Sequence, residues 1–465
     1  MYSIEEIEKQ RKLDSEDIIK RWDALESQIA ERYDDSTAKR VRCAFEDFYN
    51  DMYSEGDLGL WLGNLYDHNI GGFYYSNSAR DNEGFLPDLE STRQALYLIF
   101  RLGAPEVFGS VGEMYPDWMK ERILKFTKDL QDENGYFYHP QWERSLTDSK
   151  PHRRGRDLNW ACQIFDWFGG APTYDTPIGV KGDGRLSDGT QVVGFSHRET
   201  ETAAPKEELV TPHLKDREAF EEYLAGLDLN GNSYVVSNAL ESQGRQIYER
   251  DKVLREMGAD YSLTEILIEW FRSHQDPKTG LFTYRAPDCE GVNGMLKACG
   301  AVNYIKKPFP NPLRAIESAI AMIEGGGYEV TSVCDVLNPW YGINQLLKNI
   351  DLYGDSAEET EKYKKYIFDH VPEMIMATKK RILQFKKPDG SFSFGVKHSS
   401  PTSQGHPVAV KGSYEGDVNA TNIGAAAIIA HIFDLVGVQI IPVFTLADKM
   451  RIMNIFEEKK TKAEI

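Results

Sequence analysis

Apolar residues recur every three or four positions along most of this chain, the spacing of amphipathic helices, and period-two alternation is scarce. The pattern predicts a first helix from Ser3 to about residue 33, opened by the capping box Ser3-Ile4-Glu5-Glu6, and a second over 36–52. Further helices are predicted over 89–102, 116–130, 157–168, 262–274, 312–323, 339–349, 357–385, 419–435 and 446–458. One stretch, about 169–235, loses the periodicity; rich in Gly, Asp, Thr and Pro, it reads as an irregular insertion.

A supersecondary unit repeats on this background. Four helical runs, ending near Leu65, Leu130, His274 and Phe385, lead into glycine-aromatic turns. These are Gly71-Gly72-Phe73-Tyr74-Tyr75, Asn134-Gly135-Tyr136-Phe137-Tyr138, Thr279-Gly280-Leu281-Phe282-Thr283-Tyr284 and Asp389-Gly390-Ser391-Phe392-Ser393-Phe394. Glycine permits a positive φ at such a turn, and the aromatic can fold back to seal neighbouring hairpins. Repetition with alternately short and long loops predicts an all-α fold, an (α/α)6 toroid of helical hairpins, as one domain over 1–465. In such a ring equivalent loops share one mouth, so distant residues can share a site.

Composition narrows the function. A formal charge of −19 argues against nucleic-acid or anionic-membrane surfaces, whose phosphates require a basic patch. Five cysteines (Cys43, Cys162, Cys289, Cys299 and Cys334) are scattered without the paired spacing of a zinc site and read as reduced core residues. The first residues lack a basic-then-apolar leader, so a cytoplasmic protein is expected. The apolar stretch 423–444 is interrupted by His431, Asp434, Gln439 and Pro442 and is expected as a buried helix, not a membrane span. With 8 Trp, 24 Tyr and 22 Phe, aromatics exceed what helix packing alone requires, so some should face solvent.

Carboxylates gather where inner helices are expected to start. Asp88 and Glu90 follow Pro87, where the free N–H groups of a helix start also favour acids as caps. Asp157 stands after Arg153, Arg154 and Arg156, which would depress its pKa or meet an anionic substrate group. Glu415 and Asp417, with Tyr414 and Asn419, precede the most apolar helix of the chain. Asp88, Asp157, Glu415 and Asp417 are therefore the candidate catalytic acids. His68, Tyr74, Tyr75, Glu90, Arg156 and Tyr414 are candidate substrate contacts, with Trp160 and Trp340 as platforms for a sugar ring. No His-Glu-x-x-His, Gly-x-Ser-x-Gly, P-loop or well-placed dinucleotide motif occurs. The calcium-like start at Asp228 has Ser233 where glycine is required, so no metal or cofactor is expected.

The helix, glycine-aromatic turn, helix repeat resembles the six-hairpin glycosidase superfamily. Asp67-His68-Asn69-Ile70-Gly71-Gly72-Phe73 is similar to the acid-His-acid-x-Gly-Phe segment of unsaturated glucuronyl hydrolases, with Asn69 in place of the second acid and one extra glycine. The resemblance implies a toroid whose mouth holds a saccharide, uronates included, between aromatics and hydrolyses it with acids. A glycoside hydrolase with one carboxyl group as general acid and another as base or nucleophile is the expected function. The alternative is a polysaccharide lyase or sugar epimerase, with His68, Tyr74 or His398 as base. Terpenoid cyclases share the turns, but their Asp-x-Asp-Asp and Asp-Asp-x-x-Asp motifs are missing here. A non-catalytic glycan-binding protein completes the alternatives.

Overall fold

A computed structural model describes residues 1–103, 105–197, 210–283, 288–325, 329–354 and 356–463. Helix accounts for 63% of the protein, roughly twice the share in an average globular domain, and among the described residues the sheets are two tiny two-stranded ladders. Helices of eight residues or more are numbered in chain order. The first five are α1 (Ile4–Ala30), α2 (Asp35–Tyr53), α3 (Leu58–Leu65), α4 (Leu89–Gly103) and α5 (Asp117–Asp129). Next come α6 (Pro151–Phe168), α7 (Arg217–Ala225), α8 (Ser233–Glu256), α9 (Leu263–His274) and α10 (Cys289–Tyr304). The series ends with α11 (Pro312–Glu324), α12 (Val333–Tyr353), α13 (Ala357–Ile382), α14 (Val418–Val436) and α15 (Leu446–Ala463).

Local chemistry explains most of these limits. Ser3 and Glu6 form the expected capping box of α1. Asp34, Asp57, Ser262, Asp288 and Ser356 each accept a backbone N–H at the start of α2, α3, α9, α10 and α13. The departures are equally local. α6 begins at Pro151 and not Asp157, because proline suits the first helical position; Asp157 therefore lies in the second turn and opens nothing. α12 starts at Val333 under a Ser332–Asp335 capping box, so Pro339 sits inside it. α8 and α10 were not expected. The apolar positions of α8 are diluted by charge, and α10 carries Gly291, Gly294 and Gly300, poor helix formers that permit close packing. The expected insertion is shorter than predicted, because α7 and the start of α8 fall within it.

One glycine in each of the four turns has positive φ: 88° at Gly71, 83° at Gly135, 69° at Gly280 and 86° at Gly390. A Cβ on Gly71 would lie 2.5 Å from the Arg122 carbonyl oxygen in α5, and one on Gly280 would overlap the Ala315 nitrogen in α11. Phe73, Phe137 and Phe392 pair back with Tyr66, Gln131 and Lys386 at the preceding helix end. With Phe282 they are fully buried, so the packing role expected for Phe137, Phe282 and Phe392 is what the structure has.

Six helices lie side by side in the order α6, α4, α14, α12, α10, α8. Their mutual contacts run in step from N- to C-terminus, so they are parallel. Arg153 meets Glu90 and Gln163 meets Arg93 between α6 and α4; Gln94 meets Asn419 between α4 and α14. Asn344 meets His431 between α12 and α14, Asn338 and Gln345 meet Asn293 and Asn303 across α12 and α10, and Lys297 meets Glu241 between α10 and α8. One apolar core runs through the molecule, and a second, small cluster of Tyr75, Ala79, Trp142, Val408 and Ala409 stands apart from it. The chain's ends meet: Asp14 in α1 accepts the Ala447 N–H of α15 at 2.8 Å. α14 is the one described helix long and apolar enough to cross a membrane, and 61% of its apolar window is buried inside the protein.

Candidate functional site

The densest buried charge lies at the N-terminal ends of α4 and α6. Asp88 caps α4, accepting the Ser91 N–H at 2.9 Å and the Ser91 hydroxyl at 2.6 Å, and so places Glu90 in the first turn. One turn of α6 separates Arg153 from Asp157, which puts them on one face. Arg153 donates to Asp157 through Nε (2.9 Å) and Nη2 (2.6 Å), and to Glu90 through Nη1 (2.8 Å); Asp88 is 3.6 Å away. Arg156 Nη2 reaches the other Glu90 oxygen at 2.5 Å. The Trp142 ring covers the Arg153 guanidinium at 4.4 Å.

Asp88, Glu90 and Asp157 are 2–3% exposed and Arg153 is fully buried. Three carboxylates face two guanidiniums, so the group as a whole favours holding one proton. Burial pushes Asp157 up to about 7, against the pull of Arg153. The negative charges of Asp88 and Glu90 push it the same way, so the shift is upward despite the bidentate pair. Burial acts on Glu90 in the same sense, yet Arg153 and Arg156 outweigh it and hold Glu90 below its ordinary value. Neighbouring carboxyl groups are thereby driven apart, the arrangement that separates a proton donor from a base.

Asp417 approaches from α14. It caps that helix through the Ala420 N–H at 2.8 Å and accepts the Phe394 N–H at 3.1 Å. Burial lifts it to about 6 although these bonds, and one from the Tyr75 hydroxyl, favour its charge. Burial, then Asp417, then Glu90 and Asp88 raise the Tyr75 hydroxyl well above its ordinary value, so it is within electrostatic reach of both acid groups. Gln94 spans them as well, donating to Glu90 at 3.3 Å and to Asn419 at 3.2 Å. Among the described residues, Gln94 Oε1, Arg156 Nε, Trp160 Nε1 and Asn422 Oδ1 are buried with no protein partner; such atoms are normally satisfied by water or a ligand.

Other sequence candidates lie elsewhere or are already engaged. Glu415 accepts from the Ser76, Ser78 and Ser399 hydroxyls and the Ser78 N–H at 2.5–3.1 Å, and so ties loops together. Trp340 is fully buried and bonded to Thr378, so no face is open to a sugar; packing replaces the platform role. Trp160 already stacks on Arg93 at 4.5 Å. Tyr75 is enclosed, Tyr74 bonds Asp67 at 3.1 Å, and Tyr414 is exposed beside Lys387. His68 is buried against Trp118 on α5. His139, Trp142, Ser403 and His406 also surround Arg153 or its partners without any motif that announces them; a tight Gln404-Gly405 turn is the one local signal, for Ser403 and His406 alone.

Among the described residues no group of three His, Cys, Asp or Glu side chains is arranged to hold a metal ion. A cavity of about 620 Å3 opens toward the C-terminal ends of α12 and α14, lined by Tyr33, Tyr341, Phe368 and His431. It is at the opposite end of these helices from the acids. In comparisons with known proteins, no protein family, no curated protein and no solved structure matches this chain.

Proposed function

We propose that this protein is a glycoside hydrolase built as a single (α/α)6 toroid, with its active site at the N-terminal ends of α4, α6 and α14. Six parallel helices, each preceded in the chain by another helix, would make the inner layer of such a ring. Closure between α6 and α8 would complete it. The observation that carries the reading is the convergence of Asp88, Glu90 and Asp157 on Arg153, with Asp157 pushed up and Glu90 held down.

In this reading Asp157, half protonated near neutral pH, donates its proton to the leaving glycosidic oxygen. Glu90 remains ionised and serves as base or nucleophile at the sugar carbon. Arg156, with 39% of its side chain exposed, stands at the rim to meet an acidic substituent of an oligosaccharide. Asp88 and Asp417 hold the helix starts in place.

Wild type, Asp157→Asn and Glu90→Gln are compared on a panel of oligosaccharides that includes uronate-terminated ones. Release of reducing ends is expected from wild type, with losses of about 10²–10⁴-fold in either variant, the usual worth of a general acid or base. Full turnover by both variants would sink the assignment. An ultraviolet-absorbing unsaturated product would instead identify a lyase.

A further inference from the structure

A short hairpin reaches the acid group at Glu90 and Arg153. Strands Thr402–Ser403 and His406–Pro407 pair through a two-residue turn in which Gln404 and Gly405 both take positive φ, 50° and 81°. Ser403 Oγ donates to Glu90 Oε2 at 2.7 Å and accepts from Arg153 Nη1 at 3.3 Å. His406 is enclosed between the Trp142 ring, 4.7 Å away, and the Thr147 hydroxyl at 3.1 Å. Trp142 Nε1 donates to the Pro407 carbonyl at 3.1 Å, and Lys150 Nζ to that of Gly405 at 3.2 Å.

We infer that the 402–407 hairpin is a lid, and that Ser403 is a positioning residue that acts on Glu90 only while the lid is down. The inference rests on reading the acid group as the catalytic site. Three observations support it. The tip is held by polar bonds, and the apolar contacts of its flank (Val408 and Ala409) belong to the small cluster that stands apart from the main core. Segments with few buried apolar contacts open most readily. The base is anchored separately, through Glu415 to Ser76, Ser78 and Ser399, so the tip can lift while the base stays. Finally, with the tip down the acids have almost no exposure, so a glycan reaches them only after it rises, and closure then excludes bulk solvent while the single water that hydrolysis consumes stays inside.

Glu90 faces Arg153, Arg156, Gln94 and Ser403, which favour its charge, and Asp88, Asp157 and Tyr75. Removing the Ser403 hydroxyl therefore makes Glu90 harder to ionise.

Two readouts test this in the full chain. Carbethoxylation of His406 by diethyl pyrocarbonate, followed by peptide mass mapping, reports lid opening without any assay of activity. The rate at His406 is expected to rise about tenfold or more in both Ser403→Ala and Lys150→Ala, with the half-buried, distant His370 unchanged, since the first loses two and the second one of the few bonds at the tip. The acid limb of the pH–rate profile is expected to move up by about one unit in Ser403→Ala, to return in Ser403→Thr and to stay put in Lys150→Ala. Equal His406 rates in all variants would overturn the lid, and an unmoved limb in Ser403→Ala would overturn the positioning role. If wild type cleaves no glycan, the hydrolase reading fails, whereas the His406 rates still decide whether the hairpin opens.

Discussion

Arg153 is the residue on which the site turns, because one buried guanidinium shared by three carboxylates leaves a proton to be placed. Placement on Asp157 has a consequence for stability. Its folded pKa of about 7 lies above the ordinary 3.8, so between those values the folded chain holds a proton that the unfolded chain has released. Stability from this group therefore falls as pH rises from about 4 to about 7, by at most about 1.4 kcal/mol per pH unit, and is constant above. Asp417, raised to about 6, acts in the same sense over a narrower window. His139, His406 and His431, all lowered by burial, act in the opposite sense. Comparing Asp157→Asn with wild type cancels these shared terms. From pH 4 to 7 the urea midpoint of the variant is expected to fall less, or rise more, than that of wild type; parallel curves would rule out the raised pKa.

Among the elements, the turns are where chemistry and packing can be separated. Gly280 and Gly258 both have positive φ, 69° and 92°, but a Cβ at Gly280 meets the backbone of α11 whereas one at Gly258 meets nothing within 4 Å. Alanine at Gly258 is expected to cost about 1–2 kcal/mol, the left-handed penalty alone. Alanine at Gly280 is expected to cost clearly more, because α11 must also move. Chemical denaturation measures both, and equal losses would show that the turn does not wedge against α11. α14 carries a second device of this kind. Its Asn422–Ala427 segment is π-helical, and the Tyr53 hydroxyl bonds the Ala425 carbonyl at 2.8 Å within it. Small residues there let the chain approach Phe392 at Gly424.

For the whole molecule, the meeting of the two ends is the feature that local sequence does not announce. α1 buries Ile7, Trp22, Leu25 and Ile29 and is tied to α15 through Asp14 and, at Tyr2, through Asn454. Each such apolar side chain contributes about 1.5–3 kcal/mol when fully buried. A chain lacking residues 1–33 is therefore expected to melt well below the full chain and to expose the faces of α2 and α15 that α1 covers. An unchanged melting temperature would make α1 an appendage to a body complete without it.

Helix positions, caps and turn glycines were legible in the residues because each depends on neighbours within about four positions: the 3.6-residue period, a side chain reaching one backbone N–H, a φ that only glycine takes freely. Asp88 and Asp417 as helix openers and the buried phenylalanines of the turns belong to that class. α8 and α10 escaped because charge and glycine blurred their periodicity, and the start of α6 because a proline six residues before Asp157 outranked the acid. Tertiary structure alone decided that Asp88, Glu90 and Asp157 share Arg153, that Glu415 and Trp340 are fully engaged, and that Ser403 arrives from more than 300 residues away to touch Glu90. Burial and charge act through space, and two carboxyl groups of one sequence type take different protonation states according to which distant groups the fold sets beside them.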